Sequence, residues 1–334
     1  MKLAVIGGGP AGLRAAEIAA TRGASVTVFD AKPSVGRKLL VAGRGGLNLT
    51  HGEELERFIS RYSGPADFWQ RAISSFTPAE LREWAAGLGI ETFEQRTGRV
   101  YPREMKAAPL LRRWVDRLRG LGVTFEMNHR WTDLKPGPPH ELEFLNYDKH
   151  SNFRFDSVIL ALGGASWPIT GSDGGWTSIL TRLGIGVNPL VPANCGWETA
   201  WPAEVLALAE GKPLKNLTVR ARNHEVKGEL MVTAYGLEGG ALYQLGNTLR
   251  SMQPASILID FKPTYSVEQL IAKLTGSKDS PIDACLTRWK LSDAAHAILC
   301  NGLPQSTSAQ ELAIRAKNFA VNFTSPRPID EAIS

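Results

Sequence analysis

The feature that most constrains this chain is a glycine-rich turn near its N-terminus. An apolar run over Lys2–Ile6 leads directly into the sequence GGGPAG, residues 7–12, which satisfies the pattern GxGxxG. An alanine-rich stretch follows to about Arg22, and Gly23 comes next. A short apolar run bounded by glycine is typical of a buried parallel strand, and glycine after a helical stretch favours its termination. The pattern therefore predicts a strand, a tight turn and a helix, which together open a dinucleotide-binding α/β unit.

Each glycine of this turn meets a separate physical requirement. Gly7 permits the sharp turn out of the strand, Gly9 lets a pyrophosphate approach the backbone, and Gly12 lets the helix pack closely on the strand. The helix opens at Pro10 and Ala11, where free N–H groups and a partial positive charge favour an anion. The turn residues predicted to contact a bound dinucleotide are Gly7, Gly9, Pro10, Ala11 and Gly12.

An acidic residue stands where such a unit binds ribose. The run Ser25–Asp30 reads as a second strand, and Asp30 lies 23 residues after Gly7, near the spacing expected of an acid that accepts hydrogen bonds from ribose hydroxyls. A carboxylate there repels a 2′-phosphate, so the pattern indicates FAD or NAD rather than NADP. We predict that Asp30, with the adjoining Ala31 and Lys32, belongs to the same site.

A second glycine cluster over residues 36–51 separates the FAD interpretation from the NAD one. An NAD dehydrogenase normally continues into a crossover helix here, and this stretch contains too many glycines for one. Successive backbone N–H groups in such a loop can line a further stretch of an elongated cofactor, which favours FAD. The residues predicted to do so are a basic pair, three glycines and an amide: Arg37, Lys38, Gly43, Gly45, Gly46 and Asn48.

These segments together resemble the HI0933-like flavoprotein family, also called the YhiN/BaiN-like group. The resemblance covers essentially the whole chain and rests on the following motifs: GGGPAGLRAAEIAA at 7–20, GRKLLVAGRGGLNLTH at 36–51, GRVYP at 98–102, VILALGGASWP at 158–168, TGSDG at 170–174 and GEL at 228–230. It implies an α/β fold with a Rossmann-like FAD-binding domain of the two-dinucleotide-binding-domain type, an inserted β-barrel and a small helical domain. It also implies an FAD-dependent oxidoreductase, and some family members are linked to reduction of unsaturated ring substrates.

The motif at 158–168 adds a second approach to the cofactor. Val158–Leu162 reads as a buried strand that ends at Gly163 and Gly164, where the resemblance implies a glycine turn beside the flavin. Leu162 stands where the family usually has threonine, so one hydroxyl near the cofactor is missing. We predict Leu162, Gly163 and Gly164 as cofactor-binding residues.

The domain organisation follows a change in composition near residue 188. Residues 1–188 are predicted to form the FAD-binding domain, with a helical and β insertion at about 70–150. Residues 189–334 are predicted to form the β-barrel domain, with a helical insert at about 266–303. The resemblance implies a return to the nucleotide domain, through a glycine-rich segment, beginning near Asp330, and this chain is expected to lack it.

Composition excludes several other classes of protein. With 43% hydrophobic residues among 334, the chain can form a core, and it has no uninterrupted apolar run long enough for a membrane span or a signal peptide. We expect a cytoplasmic protein with no membrane partner. The three cysteines are odd in number and form no CxxC pair, which argues against a disulfide framework, a zinc site and a redox dithiol. No metal is predicted.

The predicted function is an FAD-dependent oxidoreductase that transfers hydride between a nicotinamide, or another donor, and an unidentified small-molecule acceptor. NAD(P)H is expected as a transient donor because a second GxGxxG unit is missing. The sequence does not identify a catalytic acid or base: His51 and Cys195 are better explained as structural residues. Two alternatives stay open: an NAD-dependent Rossmann dehydrogenase, and a non-catalytic nucleotide- or RNA-binding module. Nucleic acid is not the expected partner, since the basic helix at 106–121 reads as a solvated face.

Overall fold

A computed structural model describes residues 1–62 and 64–333 of the chain. It divides into two compact units, Met1–Asn188 and Pro189–Ser334. The strands of the first unit are β1 (Lys2–Ile6), β2 (Ser25–Asp30), β3 (Thr50–His51), β4 (Thr92–Glu94), β5 (Arg99–Pro102), β6 (Thr124–Met127), β7 (Arg130–Lys135), β8 (His140–Asn146), β9 (Lys149–Phe155) and β10 (Ser157–Leu160). Its helices are α1 (Pro10–Thr21), α2 (Arg37–Ala42), α3 (Leu55–Ser60), α4 (Ala66–Ser74), α5 (Pro78–Gly87), α6 (Ala107–Gly120) and α7 (Trp176–Arg182).

The centre of the first unit is a parallel four-stranded sheet with the order β10-β1-β2-β6. Within this sheet, and in the order of the chain, β1 is the first strand, β2 the second, β6 the third and β10 the fourth. Read in the other direction the order is 3-2-1-4, which is how the Rossmann fold begins. The strand order reverses between β1 and β10. In open α/β sheets ligands bind beyond the carboxyl ends of the strands at this reversal, so the topology points to the end of β1.

The two faces of this sheet pack against different layers. Leu3 and Val5 of β1 face the cluster that includes α1 and α6, whereas Ala4 and Ile6 belong to a second cluster with the aromatic residues of the β7-β8-β9 meander. Because alternate side chains of a strand point to opposite faces, a continuous apolar run is needed when both faces are covered. The predicted buried parallel strand and the α/β class are confirmed.

A buried carboxylate fixes the helices behind the sheet. Glu17 of α1 is 5% exposed, and it accepts hydrogen bonds from the indole N–H groups of Trp84 and Trp114, at 3.0 Å each, and from Arg117 at 3.1 Å. Burial alone would raise the pKa of Glu17, but these donors, with Arg14, together lower it. A buried charge is tolerated when it is paired and hydrogen-bonded. Glu17 therefore joins α1, α5 and α6, a role that its place in an alanine-rich helix does not indicate.

The segment predicted as a glycine-rich loop contains a short helix. Residues 37–42 form α2, which starts after Gly36 in the left-handed region (φ 67°) and ends at Gly43. The prediction of continuous loop was wrong for these six residues because every glycine between 37 and 51 lies after residue 42. Helix α5 begins with a capping box of Thr77 and Glu80, which lie three residues apart in the sequence.

The second unit is built on an antiparallel sheet. Its strands are β11 (Trp197–Glu198), β12 (Pro213–Ala221), β13 (His224–Thr233), β14 (Gly236–Glu238), β15 (Ser256–Asp260) and β16 (Phe319–Asn322). The sheet order is β11-β14-β13-β12-β15-β16. The chain after β16 then pairs with β11: Glu198 donates to the carbonyl of Ser325, and Thr324 donates to that of Glu198. The two edges are thereby joined, as a barrel requires.

Among its described residues the second unit has six α-helices: α8 (Ala203–Ala209), α9 (Gly240–Arg250), α10 (Val267–Leu274), α11 (Pro281–Arg288), α12 (Asp293–Cys300) and α13 (Ala309–Lys317). They share one apolar cluster with the sheet. Helices α10 and α13 begin with capping boxes at Ser266 and Ser308, as their sequences predict. Across the described residues, no helix has both the length and the apolar character needed to cross a bilayer.

Candidate cofactor site

The glycine turn after β1 has the tight geometry that its sequence predicts. Gly7 has φ 108°, and a β-carbon there would lie 2.2 Å from the carbonyl oxygen of Ala161. A β-carbon on Gly12 would lie 1.8 Å from the carbonyl oxygen of Gly7, so α1 and the turn touch through this glycine. Gly9 differs from both: its φ is −78°, and a β-carbon there would meet no atom within 4 Å. Gly9 therefore faces open space, where a ligand can approach the backbone.

The first turn of α1 presents unpaired donors beside Gly9. Leu13 donates its N–H to the carbonyl of Gly9, but the N–H groups of Ala11 and Gly12 have no acceptor among the described residues. Pro10 at the first helical position has no N–H to satisfy. Free N–H groups at the start of a 12-residue helix, together with its dipole, form a ready anion site.

Asp30, at the end of β2, holds the same turn. Its Oδ2 accepts the N–H of Gly8 at 2.9 Å and its Oδ1 accepts the N–H of Lys32 at 2.8 Å. Burial raises the pKa of Asp30, and these two donors partly oppose that effect. The carboxylate thus ties the end of β2 to the turn after β1. Each oxygen keeps a further lone pair that can accept a hydroxyl.

A cavity of about 730 Å³ opens at the reversal point of the sheet. Ten of the predicted residues line it: Gly7, Gly9, Pro10, Ala11, Asp30, Ala31, Arg37, Lys38, Leu162 and Gly163. Ligand cavities commonly span about 300–1,000 Å³. Residues widely separated in sequence therefore meet in one cavity of suitable size.

Two basic residues from the start of α2 line the cavity. The Nε atom of Arg37 is buried and has no hydrogen-bond partner among the described residues. Buried donors are rarely left unpaired in folded proteins, so this atom points to a missing acceptor. Lys38 donates to the hydroxyl of Ser166 at 3.0 Å, and burial lowers the pKa of Lys38. Both residues suit an anionic ligand.

Hydrogen bonds fix the loop that follows β10. Trp176 donates its indole N–H to the carbonyl of Gly163 at 3.1 Å, and the hydroxyl of Ser172 donates to the carbonyl of Gly164 at 2.9 Å. Gly163 has φ 72°, which favours glycine. On the cavity wall, Arg130 and Asp173 form an ion pair at 2.9 Å.

Seven predicted residues are not on the walls of this cavity: Gly12, Lys32, Gly43, Gly45, Gly46, Asn48 and Gly164. Gly43 has a packing role, since a β-carbon there would lie 2.6 Å from Cβ of Ala107 on α6. In its satisfied orientation the amide of Asn48 donates to the carbonyl oxygens of Thr50 and Val100, at 2.9 and 3.2 Å. For these seven residues, as for the ten on the walls, the role in cofactor binding stays a prediction.

Several lining residues were missed by sequence analysis. They come from the start of β7, from the loop after β10 and from α7, and include His129, Arg130, Trp131, Thr132, Ser172, Asp173, Trp176 and Arg182. The family resemblance includes the TGSDG motif, but nothing in the sequence indicates that the motif lies on the cavity wall. For His129–Thr132 the sequence carries no comparable signal, because only the folding of β7 beside β2 brings these residues to the cavity.

The other two residues weighed for chemistry have structural partners. One ring nitrogen of His51, Nε2, contacts the carbonyl of Thr97 at 3.0 Å, and Nδ1 accepts the N–H of Glu53 at 3.2 Å. Neither His51 nor Cys195 lines the cavity. Cys195 is buried, and burial raises the pKa of its thiol, which makes it a poor nucleophile.

The chain is similar to known proteins over most of its length. The sequence model of the HI0933-like protein Rossmann domain matches residues 1–302. The chain is 30% identical over 281 residues to a 3-dehydro-bile acid delta(4,6)-reductase of Clostridium scindens, covering 80% of this chain and 66% of that protein. It is 26% identical over 271 residues to a ribosomal RNA dihydrouridine synthase of Haemophilus influenzae, with the same 80% and 66% coverage. The chain thus spans just under two thirds of the length of these relatives. By the extent of the family match, it belongs to the HI0933-like family.

Proposed function

We propose that this chain is an FAD-dependent oxidoreductase acting on a small-molecule acceptor. The observation that carries the proposal is the turn at Gly9, which faces open space beside the free N–H groups of Ala11 and Gly12. This turn opens into a cavity of about 730 Å³ at the reversal point of a Rossmann sheet. Membership of the HI0933-like family supports a flavin as the ligand.

The residues of the cavity fit FAD in two groups. Gly9, Ala11 and Asp30 would hold the ADP half, since free N–H groups suit a pyrophosphate and a carboxylate suits ribose hydroxyls. Arg37 and Lys38 would bind further acceptor groups of the cofactor, and the buried, unpaired Nε of Arg37 supports that assignment. NAD would use the first group and leave these donors unused.

Bound FAD would supply the redox chemistry, since its ring system can accept and release hydride. The protein would bind and orient it, and the fixed loop at Gly163 would form part of the surrounding wall. We propose a reduced nicotinamide as the donor and an unsaturated ring compound as the acceptor. The acceptor class follows the name of the Clostridium scindens relative, a reductase of a bile acid.

A direct test is cofactor binding by the purified 334-residue chain. The chain is incubated separately with FAD, FMN and NAD⁺, passed through a desalting column, and examined by visible absorbance and mass spectrometry. We expect FAD to be retained and then bleached anaerobically by NADH or NADPH. Retention of NAD⁺ with no retention of FAD would refute the proposal and favour an ordinary dehydrogenase.

RNA is a second candidate substrate, and one surface supports it. A groove of about 1,440 Å³ in the second unit is lined by six basic residues, Lys212, Lys215, Arg220, Lys227, Lys262 and Lys290, and by four acidic ones, Glu225, Glu229, Asp260 and Asp293. Among the described residues, Lys212, Lys215 and Lys227 form no ion pair with an acidic side chain. Two relatives are named ribosomal RNA dihydrouridine synthases. RNA binding that weakens steeply with salt, and more in Lys215→Glu than in Lys278→Glu, would favour this candidate.

The basic helix α6 gives this RNA candidate little support. Arg113 donates to the carbonyls of Leu88 and Gly89, and Arg117 is paired with Glu17. Two of its four arginines are therefore used within the fold.

A further inference from the structure

Two cysteines and a histidine meet in the helical part of the second unit. The Sγ atoms of Cys285 on α11 and Cys300 on α12 are 3.7 Å apart. One ring nitrogen of His296, one turn before Cys300 on α12, lies within 4.8 Å of both sulfurs. The three side chains therefore place two sulfurs and a nitrogen around one point, distant in sequence from every residue of the cofactor cavity.

The packing of the helices fixes this arrangement. Cys285 is fully buried in the apolar cluster of the second unit, whereas His296 and Cys300 are half-buried. Arg315 of α13 donates to the carbonyl of Leu299 at 2.8 Å and so holds the end of α12. The ligand atoms are therefore preorganised by the core, while their half-buried side gives an ion a route from solvent.

The distances suit a tetrahedral metal ion. Two thiolates bound to one Zn²⁺ at about 2.3 Å are about 3.8 Å apart in tetrahedral geometry, close to the observed 3.7 Å. A disulfide needs its sulfurs at about 2.05 Å, so both side chains would have to move to form one. Sulfur and imidazole ligands together select zinc and related soft divalent ions rather than magnesium or calcium.

The histidine also has the second contact that metal-binding histidines usually make. Its Nε2 lies 2.9 Å from the carbonyl oxygen of Ile282, which fits an N–H donor there. Such a bond fixes the tautomer and leaves Nδ1 with the lone pair for a metal. In the metal-free chain the thiol of Cys285 donates to the same carbonyl at 3.1 Å, and zinc would take the place of that proton.

We propose that Cys285, His296 and Cys300 form a binding site for Zn²⁺ that fastens α11 to α12. Three protein ligands leave a fourth position for water. The sequence spacing hides this site: the ligands are 11 and 4 residues apart and lie on two helices, so no CxxC or HxxxH pattern appears. The site is independent of the proposed flavin chemistry.

The test is zinc binding by the full-length chain, prepared with chelator and reductant and then freed of both. Titration with Zn²⁺ against a chromophoric chelator is expected to give one tight equivalent, and Co²⁺ is expected to show a thiolate charge-transfer band. In Cys300→Ser, which removes a ligand, the affinity should fall by at least the roughly 10–100-fold that loss of an outer-shell partner costs, and His296→Asn should also weaken it. Cys195→Ser, at the buried cysteine outside the cluster, should bind as the parent does.

Two results would overturn the proposal. One is weak binding that is equal in the parent and in Cys300→Ser, which would mean adventitious zinc only. The other is an absence of tight binding by the reduced protein, whether or not a disulfide between Cys285 and Cys300 forms in air. Because Cys300 is half-buried, its serine variant is expected to fold, and circular dichroism of each variant checks this.

Discussion

Replacing Gly9 with alanine separates cofactor binding from folding. Gly9 already has φ −78°, which alanine adopts freely, and the added methyl group would meet no protein atom within 4 Å. The lower entropy of the unfolded alanine variant favours folding by about 0.4–1 kcal/mol, and the weaker helix-capping tendency of alanine opposes it by a similar amount. The free energy of unfolding of the apoprotein should therefore change by less than about 1 kcal/mol.

The same methyl group would occupy the space that the pyrophosphate needs. Forcing one extra methyl into a filled site typically costs about 1–3 kcal/mol, so FAD affinity should fall by about tenfold to a hundredfold. Urea denaturation without cofactor measures stability, and quenching of flavin fluorescence measures affinity. Gly120→Ala is the matched control, because Gly120 also faces open space but lies at the end of α6. Equal FAD affinity in Gly9→Ala and Gly120→Ala would refute this assignment of the phosphate site.

Three further predictions test neighbouring parts of the first unit. Gly12→Ala should lower the free energy of unfolding by about 3 kcal/mol in urea denaturation, because its β-carbon would lie 1.8 Å from the carbonyl of Gly7; an unchanged midpoint would contradict the close packing. The lowered pKa of Glu17 means that its charge stabilises the fold above about pH 4.5, its ordinary value, and that this contribution is lost as the pH falls through the lowered pKa. The free energy of unfolding of Glu17→Gln should therefore be about 1.5–3 kcal/mol lower than that of the parent at pH 7, and it should fall less steeply as the pH is lowered. Identical profiles of stability against pH in the two proteins would argue against the buried ion pair. Burial lowers the pKa of Lys38 below 10.5, so its charge is lost at a lower pH than that of a free lysine. The affinity for FAD, measured as a function of pH, should therefore fall on the alkaline side, and Lys38→Arg should retain its affinity to higher pH. Superimposable pH profiles of the two proteins would exclude a contribution from the charge of Lys38.

Local signals predicted much of the fold. The turn at residues 7–12 formed as predicted. The capping boxes at Thr77, Ser266 and Ser308 are local in the same way, because each depends on residues three positions apart. The glycines after Ala42 were misleading, since loop composition there concealed the short helix α2.

Contacts between distant segments were harder to predict. Glu17 lies in an alanine-rich helix and gives no sign that it will meet two tryptophans and Arg117. Gly43 packs against Ala107, a contact that the sequence does not indicate, because a glycine permits close approach of any partner. The spacing of residues in the sequence does not show which residue packs against such a glycine in the folded chain.

The sequence by itself determined the strand-turn-helix opening at Gly7–Gly12 and the acid at Asp30, because covalent spacing and backbone freedom are local properties. Tertiary structure decided which walls surround that opening: Arg130, Asp173 and Trp176 reach the cavity only through the order in which the strands pair. It also decided that Cys285 and Cys300 meet, through the packing of two helices. Pairing and packing depend on the shape and apolar surface of whole elements, which no short motif records.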